Sequence, residues 1–79
     1  MEVKILTPTK KLFEGKCQKI SFFGVEGKFE VLKNHAPLFA LLKKGEIVID
    51  GNQKISILSG IVKVAQNKII VLVKKPKNS

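Results

Sequence analysis

Arginine, tryptophan and tyrosine are all missing from this 79-residue chain, which also holds only one cysteine, one histidine and six acidic residues. Without arginine there is no guanidinium fork to grip guanine edges or phosphates in two places, the contact that sequence-reading nucleic-acid proteins favour. Five phenylalanines are the whole aromatic content, so a platform of stacked bases would compete with the core for the same rings. The lone Cys17 has no internal partner, which argues against a secreted disulfide scaffold and suits a reducing compartment. No apolar run approaches the roughly 20 residues that span a bilayer. The first twelve residues are interrupted by Glu2, Lys4, Lys10 and Lys11 and do not read as a signal peptide. These absences lead us to expect a soluble protein, neither exported nor embedded.

Catalytic chemistry is equally short of material. A nucleophile beside a base, a carboxylate pair or a metal-ligand cluster is the usual minimum. His35 and Cys17 are the one base and the one thiol, they fall in separate segments, and no third residue is marked to orient them. No Cys or His recurs at ligand spacing. Gly24-Val25-Glu26-Gly27 has two glycines but lacks the lysine and helix start of a phosphate loop, and reads as a hairpin turn. The expectation is no catalytic residue, no metal, no cofactor and no small-molecule substrate.

What the chain does have is lysine. Fifteen lysines against six acids give a formal net charge of +9, which points either to an anionic partner or to strand edges kept soluble by cations. Period-two alternation recurs: Val3 and Ile5 around Lys4, Ile55 and Ile57 around Ser56, Val62 and Val64 around Lys63. Such segments read as half-buried strands. The runs Ile47–Ile49 and Ile69–Val73 are continuous and β-branched, which predicts strands covered on both faces, the second of them central in its sheet. Turn residues fall every few positions, so the segments between them are too short for helices and the sum is an all-β sandwich or flattened barrel in one domain, residues 1–79. Asp50-Gly51 is the clearest hairpin, because a type I′ turn needs positive φ at both central residues. Phe22 and Phe23 are adjacent and must leave opposite faces of a strand, one into the core. Asn34, the run 36–42 and Lys43-Lys44-Gly45 together score locally as a short capped helix. After Val73 the polar, cationic residues 74–79 predict a frayed end.

Read in order, Leu6-Thr7-Pro8, Leu12-Phe13-Glu14-Gly15, Glu26-Gly27, Asn34-His35-Ala36-Pro37-Leu38 and Leu58-Ser59-Gly60 resemble the amino-terminal β-sandwich of the epsilon subunit of F-type ATP synthases. The resemblance covers Val3 to Val73. It implies a flattened sandwich of two packed, mostly antiparallel sheets with about ten short strands, and it turns segment 38–42 into a strand after the His35–Pro37 corner. It further implies a noncatalytic subunit of the central stalk, peripheral to the membrane on the cytoplasmic side in bacteria. Such a subunit ties the gamma subunit to the ring of c subunits, so that proton or sodium flow is coupled to ATP synthesis and hydrolysis. Carried over by motif, the c-ring contact falls on Glu26, Gly27, Lys28, Phe29 and Glu30, and the gamma contact on Asn34, His35, Ala36, Pro37 and Leu38. His35 has an equal reading as a support of its own corner.

The chain departs from the family pattern in several places. Lys28 stands where an acid is common, Glu30 and Lys33 replace a glycine and a proline, and Ile61 follows Gly60 where a second glycine is frequent. Family members commonly continue into a two-helix hairpin that brakes ATP hydrolysis; a chain ending naturally at Ser79, the expectation here, lacks that brake. Two other classes compete with the coupling subunit. A small basic β-barrel binding nucleic acid predicts salt-sensitive oligonucleotide binding, and a Cys17 thiol enzyme predicts a depressed thiol pKa.

Overall fold

The computed structural model describes residues 1–76, and these form nine strands with no helix: β1 (Glu2–Leu6), β2 (Lys11–Lys16), β3 (Lys19–Gly24), β4 (Gly27–Leu32), β5 (Leu38–Leu42), β6 (Gly45–Ile49), β7 (Gln53–Ile57), β8 (Ser59–Ala65) and β9 (Lys68–Lys74). The all-β expectation holds, with nine strands among the described residues where about ten were expected. Segment 38–42 is a strand, because pairing from Leu38↔Val64 to Leu42↔Gly60 outweighs its local helical preference. The cationic end begins later than expected: Lys74 is still in β9, paired with Ser59, while residues 77–79 lie outside the described ones.

Two layers face each other. One runs β2-β1-β9-β8-β5 and the other β4-β3-β6-β7. Every pairing is antiparallel except that of β1 with β9. The layers are not fully separate sheets, since the single pair Gly24↔Leu42 joins β3 to β5 and makes the hydrogen bonding continuous. Alternate residues point inward, as period-two geometry requires. Val3, Ile5, Val62, Val64, Ile69, Val71 and Val73 from the first layer meet Ile20, Phe22, Val31, Ile47, Ile49 and Ile57 from the second in one core. Phe22 is fully buried and Phe23 only half-buried, so the adjacent pair divides as expected.

The continuous run Ile69–Val73 is central, between β1 and β8, but its two faces are not both covered. Ile69, Val71 and Val73 are buried, whereas Ile70 and Leu72 are exposed. A two-layer sandwich gives each sheet a single inner face, and the described residues contain no third layer to cover the outer one.

Turn chemistry fixes the register. Asp50 (φ 52°) and Gly51 (φ 76°) take the positive φ values of a type I′ turn. Gln66 (φ 52°) and Asn67 (φ 61°) do the same without glycine in the two-residue link between the paired Ala65 and Lys68. Side chains then tie loops to one another. Asp50 Oδ1 accepts the backbone N–H groups of Gln18 (2.8 Å) and Lys19 (2.9 Å), fastening the β6–β7 turn to the β2–β3 link. The Thr7 hydroxyl accepts from the Lys10 N–H (3.1 Å) and closes the β1–β2 turn.

Candidate interaction surfaces

Of the two segments to which the sequence assigns contacts, the first, Glu26–Glu30, runs from the β3–β4 tip into β4, and the second follows the end of that strand. Gly24 pairs with Gly27, which leaves Val25 and Glu26 at the tip of the β3–β4 hairpin. The Val25 N–H donates to Leu41 O (3.0 Å) and the Lys43 N–H to Phe23 O (2.9 Å), so the tip is braced against β5. Gly27 has φ +129° and nothing near the position of an added Cβ, so backbone conformation alone calls for glycine there. Glu26, Gly27 and Lys28 are exposed. The Lys28 ammonium lies 5.5 Å from the centre of the Phe23 ring, a cation–π geometry that holds the side chain along the outer face. Phe29 points the other way: it is half-buried and stacks on Phe22 with ring centres 5.3 Å apart. Its main role is therefore packing. Glu30 lies opposite Ser21 and 3.9 Å from the Lys19 ammonium, an exposed pair worth little by itself.

The other segment lies past the far end of β4, about 20 Å from the hairpin tip at strand rise. Leu32 O accepts from the His35 N–H (3.1 Å), with Asn34 at φ 65° in the third position of the turn, where a type II turn demands positive φ. Asn34 and Asn67 form a reciprocal pair: Asn67 Oδ1 accepts the Asn34 N–H (2.7 Å), and Asn67 Nδ2 donates to Asn34 Oδ1 (3.1 Å). This locks the corner to the β8–β9 turn. His35 Nδ1 bonds the Ala36 carbonyl (2.6 Å), the corner-supporting contact weighed from the sequence. The described residues contain no cis peptide bond, so Pro37 is trans. Ala36 and Pro37 are exposed, while Leu38 leans on the core.

Cys17 shows the opposite of nucleophile chemistry. It is buried, and burial first, then the nearby negative charge of Asp50, push its thiol above the ordinary value of 9.0, with the terminal ammonium opposing. The terminal amine instead donates to Cys17 O (3.0 Å), and Cys17 N–H donates to Met1 O (2.9 Å), clasping the chain start onto the β2–β3 link. Among the described residues no three His, Cys, Asp or Glu side chains gather as a metal site.

One surface was not foreseen. The outer face of the five-stranded layer carries Leu6, Leu72, Ile61 and Leu41 side by side, one per strand, in a cross-strand row set by the pairs Leu6↔Leu72, Leu72↔Ile61 and Ile61↔Leu41. Leu72 and Leu41 are 52% and 51% exposed, and Phe39, in the next row, 66%. Its signal was the even-numbered half of the run 69–73, read from the sequence as buried.

Comparison with known proteins meets this geometry directly. The model of the ATP synthase delta/epsilon chain β-sandwich domain matches residues 1–78. This chain belongs to that family. It is 38% identical over 71 residues to the ATP synthase epsilon chain of Rhodopseudomonas palustris, covering 86% of this chain and 53% of that one. A similar match, 38% over 72 residues, covers 86% of this chain and 82% of the epsilon chain of Chlorobaculum tepidum. The chain thus spans little more than half the length of some curated relatives and most of the length of others. Among solved structures, a chain in the central stalk and c-ring structure of the Tetrahymena thermophila mitochondrial ATP synthase superposes with a TM-score of 0.74 at 20% identity, covering 94% of this chain and 63% of that one.

Proposed function

We propose that this delta/epsilon-type domain is a noncatalytic central-stalk subunit of a proton- or sodium-translocating F-type ATP synthase, peripheral to the cytoplasmic face of a bacterial plasma membrane. It links the gamma subunit to the c ring. The observation that supports the reading is the family match over residues 1–78, joined to the position of the Glu26-Gly27 tip before β4 and the Asn34–Leu38 corner after it. A body held at two ends between other proteins transmits torque only if it does not deform, and two hydrogen-bonded layers over one packed core resist shear. In this reading Glu26, Gly27 and Lys28 at the hairpin tip meet the polar loops of the c ring, with Glu30 set back on the outer face and Phe29 bracing the tip from the core side. Asn34, His35, Ala36, Pro37 and Leu38 meet gamma, presented by a corner that Asn67 holds rigid.

The competing nucleic-acid reading loses support from the placement of the rings. Phe22 is buried, Phe13, Phe23 and Phe29 are half-buried, and Phe39 alone is largely exposed, which is too little for a base-stacking platform. The test is direct. Mixing the purified chain with the folded gamma subunit of the same organism gives a stoichiometric complex at micromolar concentration, and its absence refutes the coupling role. In membranes, Lys28→Ala or His35→Ala lowers coupled ATP synthesis; unchanged coupling with both would withdraw these residue assignments and leave the fold untouched.

A further inference from the structure

Beyond the tip and corner contacts, we infer that the end of the sandwich that carries the β3–β4 tip is a binding surface for anionic phospholipid headgroups. Strand pairing builds this end. Leu6 pairs with Lys11 and Leu72, Ser59 with Lys74, Gly60 with Leu42, Leu42 with Gly24, and Gly45 with Ile57. The links after β1, β3, β5 and β7 and the chain beyond β9 therefore emerge together. The links after β2, β4, β6 and β8 gather at the opposite end, where Asp50 holds Gln18 and Lys19 and Asn67 holds Asn34.

Charge divides unevenly between the two ends. The segments that leave the tip end hold Lys10, Lys43, Lys44 and Lys75 against one acid, Glu26, and Lys74 at the close of β9 adds a further cation. None of these lysines makes an ion pair among the described residues. The links at the far end hold Lys33 and Asp50, a balanced pair, beside a terminal ammonium already tied to Cys17 O. Lysines that only kept strand edges soluble would not favour one end in this way. Apolar side chains stand among the unpaired cations: Val25 at the hairpin tip is 55% exposed and Leu58 in the β7–β8 link 36%. Both are presented on braced backbone, since the Val25 N–H donates to Leu41 O (3.0 Å) and the Leu58 N–H to Lys74 O (2.8 Å). A bilayer surface answers both features. Headgroup phosphates meet ammonium groups as point charges without a guanidinium fork, and lysine stems lie along the interface while Val25 and Leu58 enter its apolar boundary. A nucleic-acid backbone would match the charge and leave those two side chains in water.

The test is co-sedimentation of the full chain with phosphatidylcholine vesicles containing about 40% phosphatidylglycerol, set against phosphatidylcholine alone, at about 0.1 M salt. The anionic vesicles bind at least about tenfold tighter. Lys43→Gln with Lys44→Gln weakens that binding by about tenfold or more, since each lysine near an anionic surface contributes about fivefold. Lys16→Gln with Lys68→Gln removes the same charge from the far end, where both residues flank Glu2, and changes binding by less than about threefold. Val25→Ser weakens binding by about threefold or more through lost apolar contact. All five positions are exposed, and unchanged circular dichroism and melting points show that the variants fold. Lipid docking is overturned if neither vesicle binds, if both bind alike, if the two lysine pairs weaken binding equally, or if Val25→Ser has no effect. It is also overturned if a single-stranded oligonucleotide binds more tightly than the anionic vesicles and depends on the same lysines, which would make the partner a nucleic acid. The vesicles contain neither gamma nor a c ring, so lipid docking and the coupling role fail separately.

Discussion

Substituting Asp50 separates two effects that its position combines. Its carboxylate accepts two backbone N–H groups, of Gln18 and Lys19, across 31–32 residues of sequence, while its own backbone sits at φ 52°. Asp50→Asn keeps an acceptor oxygen and a residue that tolerates left-handed backbone, so its cost stays below about 0.5–1 kcal/mol. Asp50→Gly keeps the backbone freedom but loses the acceptor, and because water reaches this surface the two bonds together are worth about 1–2 kcal/mol. Asp50→Ala loses both, adding about 1 kcal/mol for a Cβ at positive φ and bringing the total to about 2–3 kcal/mol. Urea unfolding reads the series: at a slope near 1 kcal/mol per molar for a small domain, Asp50→Ala lowers the midpoint by about 2 M or more. For a fold of this size, with total stability of about 4–12 kcal/mol, that is a large fraction. The order Asn, Gly, Ala is the content of the prediction. If the Ala and Asn variants unfold at the same midpoint, the carboxylate does not join the β6–β7 turn to the β2–β3 link in any way that matters for stability.

Three further outcomes follow from the same geometry. Gln66→Gly stabilises by about 0.5–1 kcal/mol because φ 52° suits glycine, whereas Asn67→Gly does not, since it severs both bonds to Asn34 despite satisfying the turn; paired thermal melts distinguish them. Gly60→Ala places a Cβ 2.8 Å from the Leu72 carbonyl oxygen, a backbone atom that cannot yield without opening the β8–β9 ladder, and costs about 1–3 kcal/mol in urea unfolding. Cys17 has a folded thiol pKa raised above its unfolded value. The protonated form is therefore favoured in the native protein, and the contribution to stability is full below about pH 9 and lost as pH rises through the folded pKa. Alkylation by iodoacetamide near neutral pH is then slow in the folded protein and fast in denaturant, and Asp50→Asn, by removing the second cause of the shift, increases the alkaline reactivity of the folded thiol.

The features legible in the sequence were those governed by local rules. Alternation around Lys4, Ser56 and Lys63 put Val3, Ile5, Ile55, Ile57, Val62 and Val64 on the inner face, where all are buried except Ile55, which is partly buried against the core. Asp50-Gly51 announced its turn because few residue pairs accept two positive φ values. Segment 38–42 was legible only through resemblance, since its propensity was helical and its strand character comes from β8, whose paired residues lie 18 (Leu42↔Gly60) to 26 (Leu38↔Val64) positions later. The ties that fix the corner and the loop ends were not legible at all. Nothing in local composition says that Asn34 reaches Asn67 or that Asp50 reaches Gln18, because those bonds depend on register set elsewhere. The run Ile69–Val73 misled for a physical reason: an unbroken apolar strand signals cover on both faces, and the sequence does not distinguish cover supplied by the same chain from cover supplied by another.

That ambiguity also orders the two outer faces of the sandwich. The four-stranded layer carries Glu30, Ser21, Val48 and Lys54 in register across its strands, with Ser21 buried and Val48 half-buried between exposed ends of opposite charge. The five-stranded layer presents Leu41, Ile61, Leu72 and Leu6 at the corresponding depth. Both rows cross hydrogen-bonded strands over the same core, with β1 shifting register beside Leu6, so strand pairing does not explain the contrast. Solvation does: a leucine-rich row left in water forgoes roughly 25 cal/mol for each Å² that a partner would cover, and a mixed polar row forgoes much less. Ile61 sharpens the point. The third residue of β8, it is 37% exposed on the outer face and joins Leu72 to Leu41 in the row, so its side chain extends the apolar surface across β8.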